Sequence, residues 1–276
     1  MLINLLEDFV NEKKRSGWPD YVINNGLKEY LQYPVLVFIY GQKEYQNFIF
    51  TGGSALRIVF GLPRLSEDLD FNLKKEDYEK LDLKILGENL QKYFEKKFLL
   101  PISFRVQGNY RIYLKFPILK QLGLASGSDS DFLYVKIEIS PEDFTNPVYD
   151  TASVSAFGFN FIVKVYNLKF LMTGKISAIL DRIWFKGKEN EIDIKGRDYY
   201  DLYWYFDKGI KPDFSTLSAK FGIKNEAELK KALKKKIEEK VTEKKLFYDL
   251  TNFFGEQEFV VGFCKNYKEI MRKYLE

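Results

Sequence analysis

The sequence predicts an α/β (α+β) fold, with a small mixed sheet in the N-terminal half and an all-helical C-terminal half. Short runs of apolar–polar alternation, such as DLDFNL and FLYVKIEI, recur between residues 47 and 165 and read as strands. After Asn167 the apolar spacing becomes helical. No repeat or low-complexity linker interrupts the 276 residues, so the expected division is into 1–165 and 166–276.

Taken in order, the first 45 residues read as helices. Leu5, Leu6, Phe9 and Val10 form one apolar face of a first helix. A second spans 21–32, and Pro34 is placed to start a third, because proline suits the first helical position. The run 35–40 fits a strand equally well. Residues 47–51, NFIFT, form a short strand ending in Gly52-Gly53, and a helix over 54–60 opens on that turn. A strand follows over 68–73, and 76–98 is mostly helical. Strands at 103–106 and 110–116 pair, 125–131 (ASGSDSD) is a surface turn, and 132–139 is a strand. Residues 152–165 make a hairpin around Gly158. Beyond it Asn167 caps a helix reaching about residue 185, another spans 197–206, and a long lysine-rich one spans 226–252. Leu229, Leu233, Ile237 and Val241 give that last helix one apolar stripe.

The composition excludes whole classes of chemistry. There is no histidine and one cysteine, Cys264, which rules out an intrachain disulfide, a Cys/His zinc site and a histidine-based triad. Chemistry must run on carboxylates, lysine, arginine, hydroxyls, backbone amides or a metal held by oxygen. A net charge of +4 permits a polyanionic partner without demanding one. The 17% aromatic share is core on the plainer reading. No apolar run is long enough to span a membrane. The N-terminus MLINLLEDFVNEKKR carries its charges after its apolar part and has no small-residue cleavage site, so the expected location is cytoplasmic, with no membrane partner.

The chemistry concentrates in FIFTGGSALRIVFGLPRLSEDLDF, residues 48–71. A strand runs into two glycines and a helix opens at Ser54. Backbone amides, orphan donors and the helix dipole then favour a phosphate, although such a turn is often only a turn. Asp68 and Asp70, at i and i+2 on a strand, share one face. Adjacent carboxylates repel unless a cation lies between them, and magnesium is often held by one or two carboxylates plus substrate phosphates. A phosphate turn followed by a metal pair suits phosphoryl-group chemistry.

Gly53-Ser54, thirteen further residues, then Asp68-Leu69-Asp70-Phe71 resembles the signature of the DNA polymerase β-type nucleotidyltransferase superfamily. The fuller string TGGSALRI…RLSEDLDF resembles the AbiEii/MenT toxins, the nucleotidyltransferase halves of abortive-infection toxin–antitoxin systems. The resemblance implies transfer of a nucleotide from an NTP substrate to an acceptor hydroxyl, with magnesium or manganese as cofactor. The acceptor it implies is RNA, in particular a tRNA end, and the partner a separately encoded antitoxin. It makes Asp68 and Asp70 catalytic metal ligands and puts Gly52, Gly53 and Ser54 on the phosphates. The joining segment 55–65 supplies Arg64, and Ser66 joins it in substrate binding. In the wider superfamily a third acid from a neighbouring strand completes the metal site. Glu138 in VKIEIS is the candidate, a glutamate where aspartate is usual. The downstream motifs are matched by Lys175 in LMTGKISAILDR and by Arg197-Asp198 in KGRDYYDLYWY, so the resemblance covers about residues 45–206. It implies that Lys175 and Asp198 complete the catalytic cleft from the helical half.

Some of these residues also have plainer explanations. Lys175 shares a helix side with Leu168, Leu171, Ile179 and Arg182, and an ammonium in an apolar stripe needs an anion or a route to water. Asp198 fits a helix N-terminus on dipole grounds alone. From Lys224 to Lys245 there are nine Lys and five Glu, an excess of +4 equal to that of the whole chain. A solvated face is the usual meaning, and contact with an RNA backbone the sharper one. Two alternatives stand beside the toxin reading: the same chemistry on a protein or small molecule, and a non-catalytic NTP-binding module. A site without turnover has no use for two repelling acids, which counts against the module.

Overall fold

The computed structural model describes residues 2–276. By internal packing they fall into two compact units, one running to Asp143 and including Tyr149–Val165, the other made of Phe144–Val148 and Tyr166–Glu276. The class is mixed α/β, with a seven-stranded sheet and eleven α-helices among the described residues. No helix among them is long and apolar enough to cross a membrane.

The first unit is built on the sheet. Its strands are β1 (Ile49–Thr51), β2 (Asp68–Leu73), β3 (Ser103–Gln107), β4 (Arg111–Pro117), β5 (Phe132–Pro141), β6 (Tyr149–Ala156) and β7 (Phe159–Tyr166). They lie in the order β3-β4-β5-β2-β1-β7-β6. Pairing is antiparallel for β1–β2, β3–β4 and β4–β5, and parallel for β2–β5 and β1–β7. The alternation read from sequence is realised: Leu69, Phe71, Ile112, Leu114, Val135, Ile137 and Ile139 are all buried. Their face packs on α2 (Asp20–Gly41) and α5 (Leu83–Phe98), and α1 (Leu2–Arg15) packs on α2.

Helix α2 corrects the expected break at Pro34, because it runs unbroken through the proline. An interior proline costs about 3 kcal/mol. Tyr33, Val35, Leu36, Phe38 and Ile39 are all buried around it. At roughly 1.5–3 kcal/mol for each large apolar side chain, that burial outweighs the lost hydrogen bond.

Two other predicted helices are each split. Residues 76–98 form α4 (Lys75–Lys80) and α5, divided where Asp82 turns to cap α5, accepting from Lys84 N at 2.8 Å and Ile85 N at 3.2 Å.

The second unit is helical: α6 (Leu168–Asp181), α7 (Gly196–Asp207), α8 (Phe214–Phe221), α9 (Glu226–Lys240), α10 (Glu243–Leu250) and α11 (Gln257–Leu275). Asn167 caps α6 as expected, accepting from Phe170 N at 3.1 Å. The helix ends at Asp181, short of residue 185, and Arg182 is extended. The long helix over 226–252 becomes α9 and α10, because Val241 is extended and Thr242 caps α10. Leu229, Leu233, Ile237 and Val241 are nevertheless all buried, so the stripe survives the break.

Candidate active site

Strand β2 presents Asp68 and Asp70 on one face and sends Leu69 and Phe71 into the core. Beside it, α3 (Gly52–Phe60) opens directly from β1, with Thr51 opposite Asp70 in register. Both glycines of the turn are dictated by space. Gly52 has φ +74°, and a Cβ there would run into the Asp70 carboxylate. A Cβ on Gly53 would lie 2.7 Å from Arg64 Nη2 and 3.0 Å from Ser66 Oγ. The Asp70 carboxylate therefore sits against the first turn of α3. Thr51 provides no side-chain cap there.

The sheet register then brings cations to these acids. Asp68 lies opposite Lys136 and Asp70 opposite Glu138 on β5, and Glu138 lies opposite Arg111 on β4. Lys136 Nζ is 2.8 Å from Asp68 Oδ2 and 3.4 Å from Glu138 Oε1. Arg111 pairs with Glu138, its Nε donating at 2.6 Å. Burial works to lower the Lys136 pKa, but Asp68, Glu138 and Asp70 outweigh it and raise it above the ordinary lysine value. Burial likewise works to raise Glu138, and Lys136 and Arg111 outweigh it, so its carboxyl sits below the usual range.

An ammonium thus already occupies the place of a cation beside Asp68. The donor set, two carboxylates on one face, suits a hard divalent ion that takes its remaining ligands from phosphate oxygens. Among the described residues no three acidic side chains group tightly enough to hold a metal alone. Glu138, the candidate third ligand, adjoins Asp70 in the sheet but turns its carboxylate to Arg111 and Lys136.

Ser54, Arg64 and Ser66 are brought together, but beneath the surface. Ser54 is fully buried; its hydroxyl donates to the Asp68 carbonyl and shares a 2.9 Å hydrogen bond with Ser66 Oγ. Arg64 is 1% exposed and donates from Nη1 to the Leu65 carbonyl at 2.8 Å. Below them Glu29 of α2 accepts from Arg57 Nε at 3.0 Å and from Ser66 N at 3.2 Å. Gln32 donates to the Ser66 carbonyl at 3.0 Å. Burial raises the Glu29 pKa despite Arg57. These polar groups hold the start of α3 against the start of β2, so each side chain positions the turn and the two carboxylates. Glu29, Arg57, Lys136 and Arg111 were not singled out from the sequence. Their partners lie on distant elements, and no local pattern marks them.

In the second unit, Lys175 of α6 meets two acids of α7, Asp198 at 2.7 Å and Asp201 at 2.8 Å. Asp198 also pairs with Arg182. Asp201 is fully buried and Asp198 nearly so. Burial works to raise the Asp198 pKa, but Lys175, Arg182 and Arg197 outweigh it and hold it at about 2. The anion that an apolar stripe demands of Lys175 is therefore supplied from within the unit. Beside this network lies a cavity of about 320 Å³ whose lining includes Arg182, Trp184, Lys195, Asp198, Lys236 and Lys240.

The family model for the nucleotidyl transferase AbiEii toxin, of a type IV toxin–antitoxin system, matches residues 38–274. No curated protein matches the sequence. Among solved structures, the Helicobacter pylori protein JHP933 is similar with 17% identity and a TM-score of 0.46, over 91% of this chain and 93% of that one. A candidate nucleotidyltransferase from H. pylori is similar with 18% identity and a TM-score of 0.44, over 90% of this chain and 94% of that one.

Proposed function

The chain belongs to the AbiEii family of nucleotidyltransferase toxins, and from that premise we propose that it moves a nucleoside monophosphate from an NTP to a hydroxyl of an RNA acceptor, in particular a tRNA end. Membership of a toxin–antitoxin family implies an NTP substrate and an antitoxin partner. The observation that carries the reading is the Asp68–Asp70 pair on one face of β2, set against the glycine turn that opens α3.

In this reading Asp68 and Asp70 hold magnesium or manganese, and Lys136 is the cation that yields to it. The metal, when bound, neutralises triphosphate charge and makes pyrophosphate a better leaving group. Main-chain amides of Gly52, Gly53 and Ser54 hold the β and γ phosphates at the start of α3. The Ser54, Arg64 and Ser66 side chains keep that turn in place. Glu138 joins the metal only by releasing Arg111 and Lys136. Lys175 offsets negative charge developing on the transferred phosphate, and Asp198 orients it. The acceptor oxygen bonds to the α-phosphorus, its proton passes to solvent water, and the bond from the α-phosphorus to the bridging oxygen breaks to release pyrophosphate.

The test is incubation with each labelled NTP, magnesium and total RNA. Label is expected on RNA and is expected to vanish in Asp70→Asn, which keeps the shape of the strand and removes one unit of metal-binding charge. Label on a protein or small molecule would overturn the RNA acceptor. Full transfer by Asp70→Asn would overturn the metal assignment.

A further inference from the structure

The polar face of the sheet does not end at the two carboxylates. Across β2, β5, β4 and β3, register sets Asp68, Lys136, Tyr113 and Arg105 in one row. The next row holds Tyr134, Lys115 and Ser103. The outward residues of β3, β4 and β5 include four cations, Arg105, Arg111, Lys115 and Lys136, against one carboxylate, Glu138. That carboxylate is already paired with Arg111.

Aromatic rings stand among these charges. Tyr134 is 40% exposed and Phe132 39%. Tyr113 and Tyr134 meet edge-on at 6.5 Å, and Phe132 lies 6.3 Å from Tyr134. Arg105 is exposed and rests over the Tyr113 ring, its guanidinium carbon 5.4 Å from the centroid.

A surface of this kind selects its occupant by chemistry. An apolar protein face laid on it would desolvate Arg105 and Lys115 without compensation. A duplex offers phosphates but hides the faces of its bases. A single strand of nucleic acid offers both, a regular anionic backbone and free π-faces. The row from Asp68 to Arg105 crosses three strand spacings, about 14 Å, which is room for a few nucleotides.

We propose that the outward face of β3, β4 and β5 is the track for a single-stranded RNA acceptor, with bases stacked on Tyr134 and Phe132 and phosphates along Arg105 and Lys115. Its hydroxyl end runs toward Asp68 and Asp70. The assignment rests on the nucleotidyl-transfer reading above and specifies where its acceptor lies.

The track can be tested without turnover. A labelled single-stranded RNA of about 12 nucleotides, within the usual site size, and its duplex are titrated by fluorescence anisotropy with no NTP or metal present. The single strand is expected to bind more tightly than the duplex. Tyr134→Ala is expected to weaken it roughly 5- to 100-fold, while Tyr134→Phe, which keeps the ring, binds as wild type does. Arg105→Ala is expected to weaken it and to flatten the log–log salt slope by about 0.7. Photo-crosslinking of labelled NTP is expected to be unchanged in all three variants. Wild-type binding by both alanine variants, a preference for duplex, or no RNA binding at all would overturn the track. NTP capture by the same protein would then leave the enzyme reading standing. RNA binding with the expected pattern but no transfer from any NTP would remove that reading and retain the track.

Discussion

Gly52 is the residue on which most depends for its size. Its φ of +74° and the Asp70 carboxylate at its would-be Cβ mean that alanine meets two penalties at once. The left-handed conformation costs roughly 1–2 kcal/mol for a residue with a Cβ. The clash must be relieved by moving Asp70 or the turn. Gly52→Ala is therefore expected to lower stability only modestly and to abolish nucleotide transfer, as read by urea melts beside the labelling assay. Equal losses in both would make the turn structural alone. Asp198 gives a prediction in pH. Its folded pKa of about 2 lies below the ordinary aspartate value. Its stabilisation is thus fully present above pH ~4 and lost as pH falls through its folded value, about 2 kcal/mol in all. In Asp198→Asn the melting temperature should fall less steeply across that window than in wild type. Lys175→Ala should be worse tolerated than either. It removes the cation that faces both Asp198 and the fully buried Asp201, at roughly 3–5 kcal/mol.

At the scale of elements, the strands were legible and several helix ends were not. A strand declares itself by alternation, and DLDFNL and FLYVKIEI carry theirs at full strength, which also placed Asp68 and Asp70 on one face. Helical periodicity, in contrast, runs straight through a break. The stripe from Leu229 to Val241 continues to the last residue before Thr242 turns away, and only the cap marks the end of α9. The break before α5 hid in the same way behind Asp82. Pro34 misled in the opposite direction, because burial around α2 outweighs what the residue disfavours locally. Helix α11 carries a legible pattern of its own: Val260, Phe263, Cys264, Tyr267, Met271 and Leu275 recur at helical spacing and all are buried. What no local pattern could supply was register. Lys136 meets Asp68 because β5 lies beside β2, Arg111 meets Glu138 because β4 lies beside β5, and Glu29 reaches Ser66 across 37 positions.

For the whole molecule, 43 cations against 39 acids leave too small an excess for the overall field to steer RNA, so any recognition must be local. Two surfaces compete. Helix α9 and its neighbours hold the densest lysines, yet many of these already have partners. Lys236 donates to the Leu180 carbonyl at 3.0 Å, and Lys240 and Lys245 reach Asp193 at 2.8 and 2.7 Å. Lys235 faces Glu239 at 3.9 Å. Lys236 ties α9 to the end of α6, and Lys240 and Lys245 tie α9 and α10 to the segment before α7, which leaves Lys231 and Lys234 as the exposed remainder of α9 itself. On the sheet, two to four cations face outward as a set. At about 0.7 per phosphate on a single strand, that set gives a log–log salt slope between roughly −1.4 and −2.8. Reversing Lys231 and Lys234 to Glu is expected to leave that slope within error, since neither belongs to the strands of the track. Affinity measured from low to moderate salt for wild type and the double variant decides the matter. A wild-type slope well beyond −3 that collapses in the variant would move the phosphates to α9 and leave the sheet face without a nucleic acid.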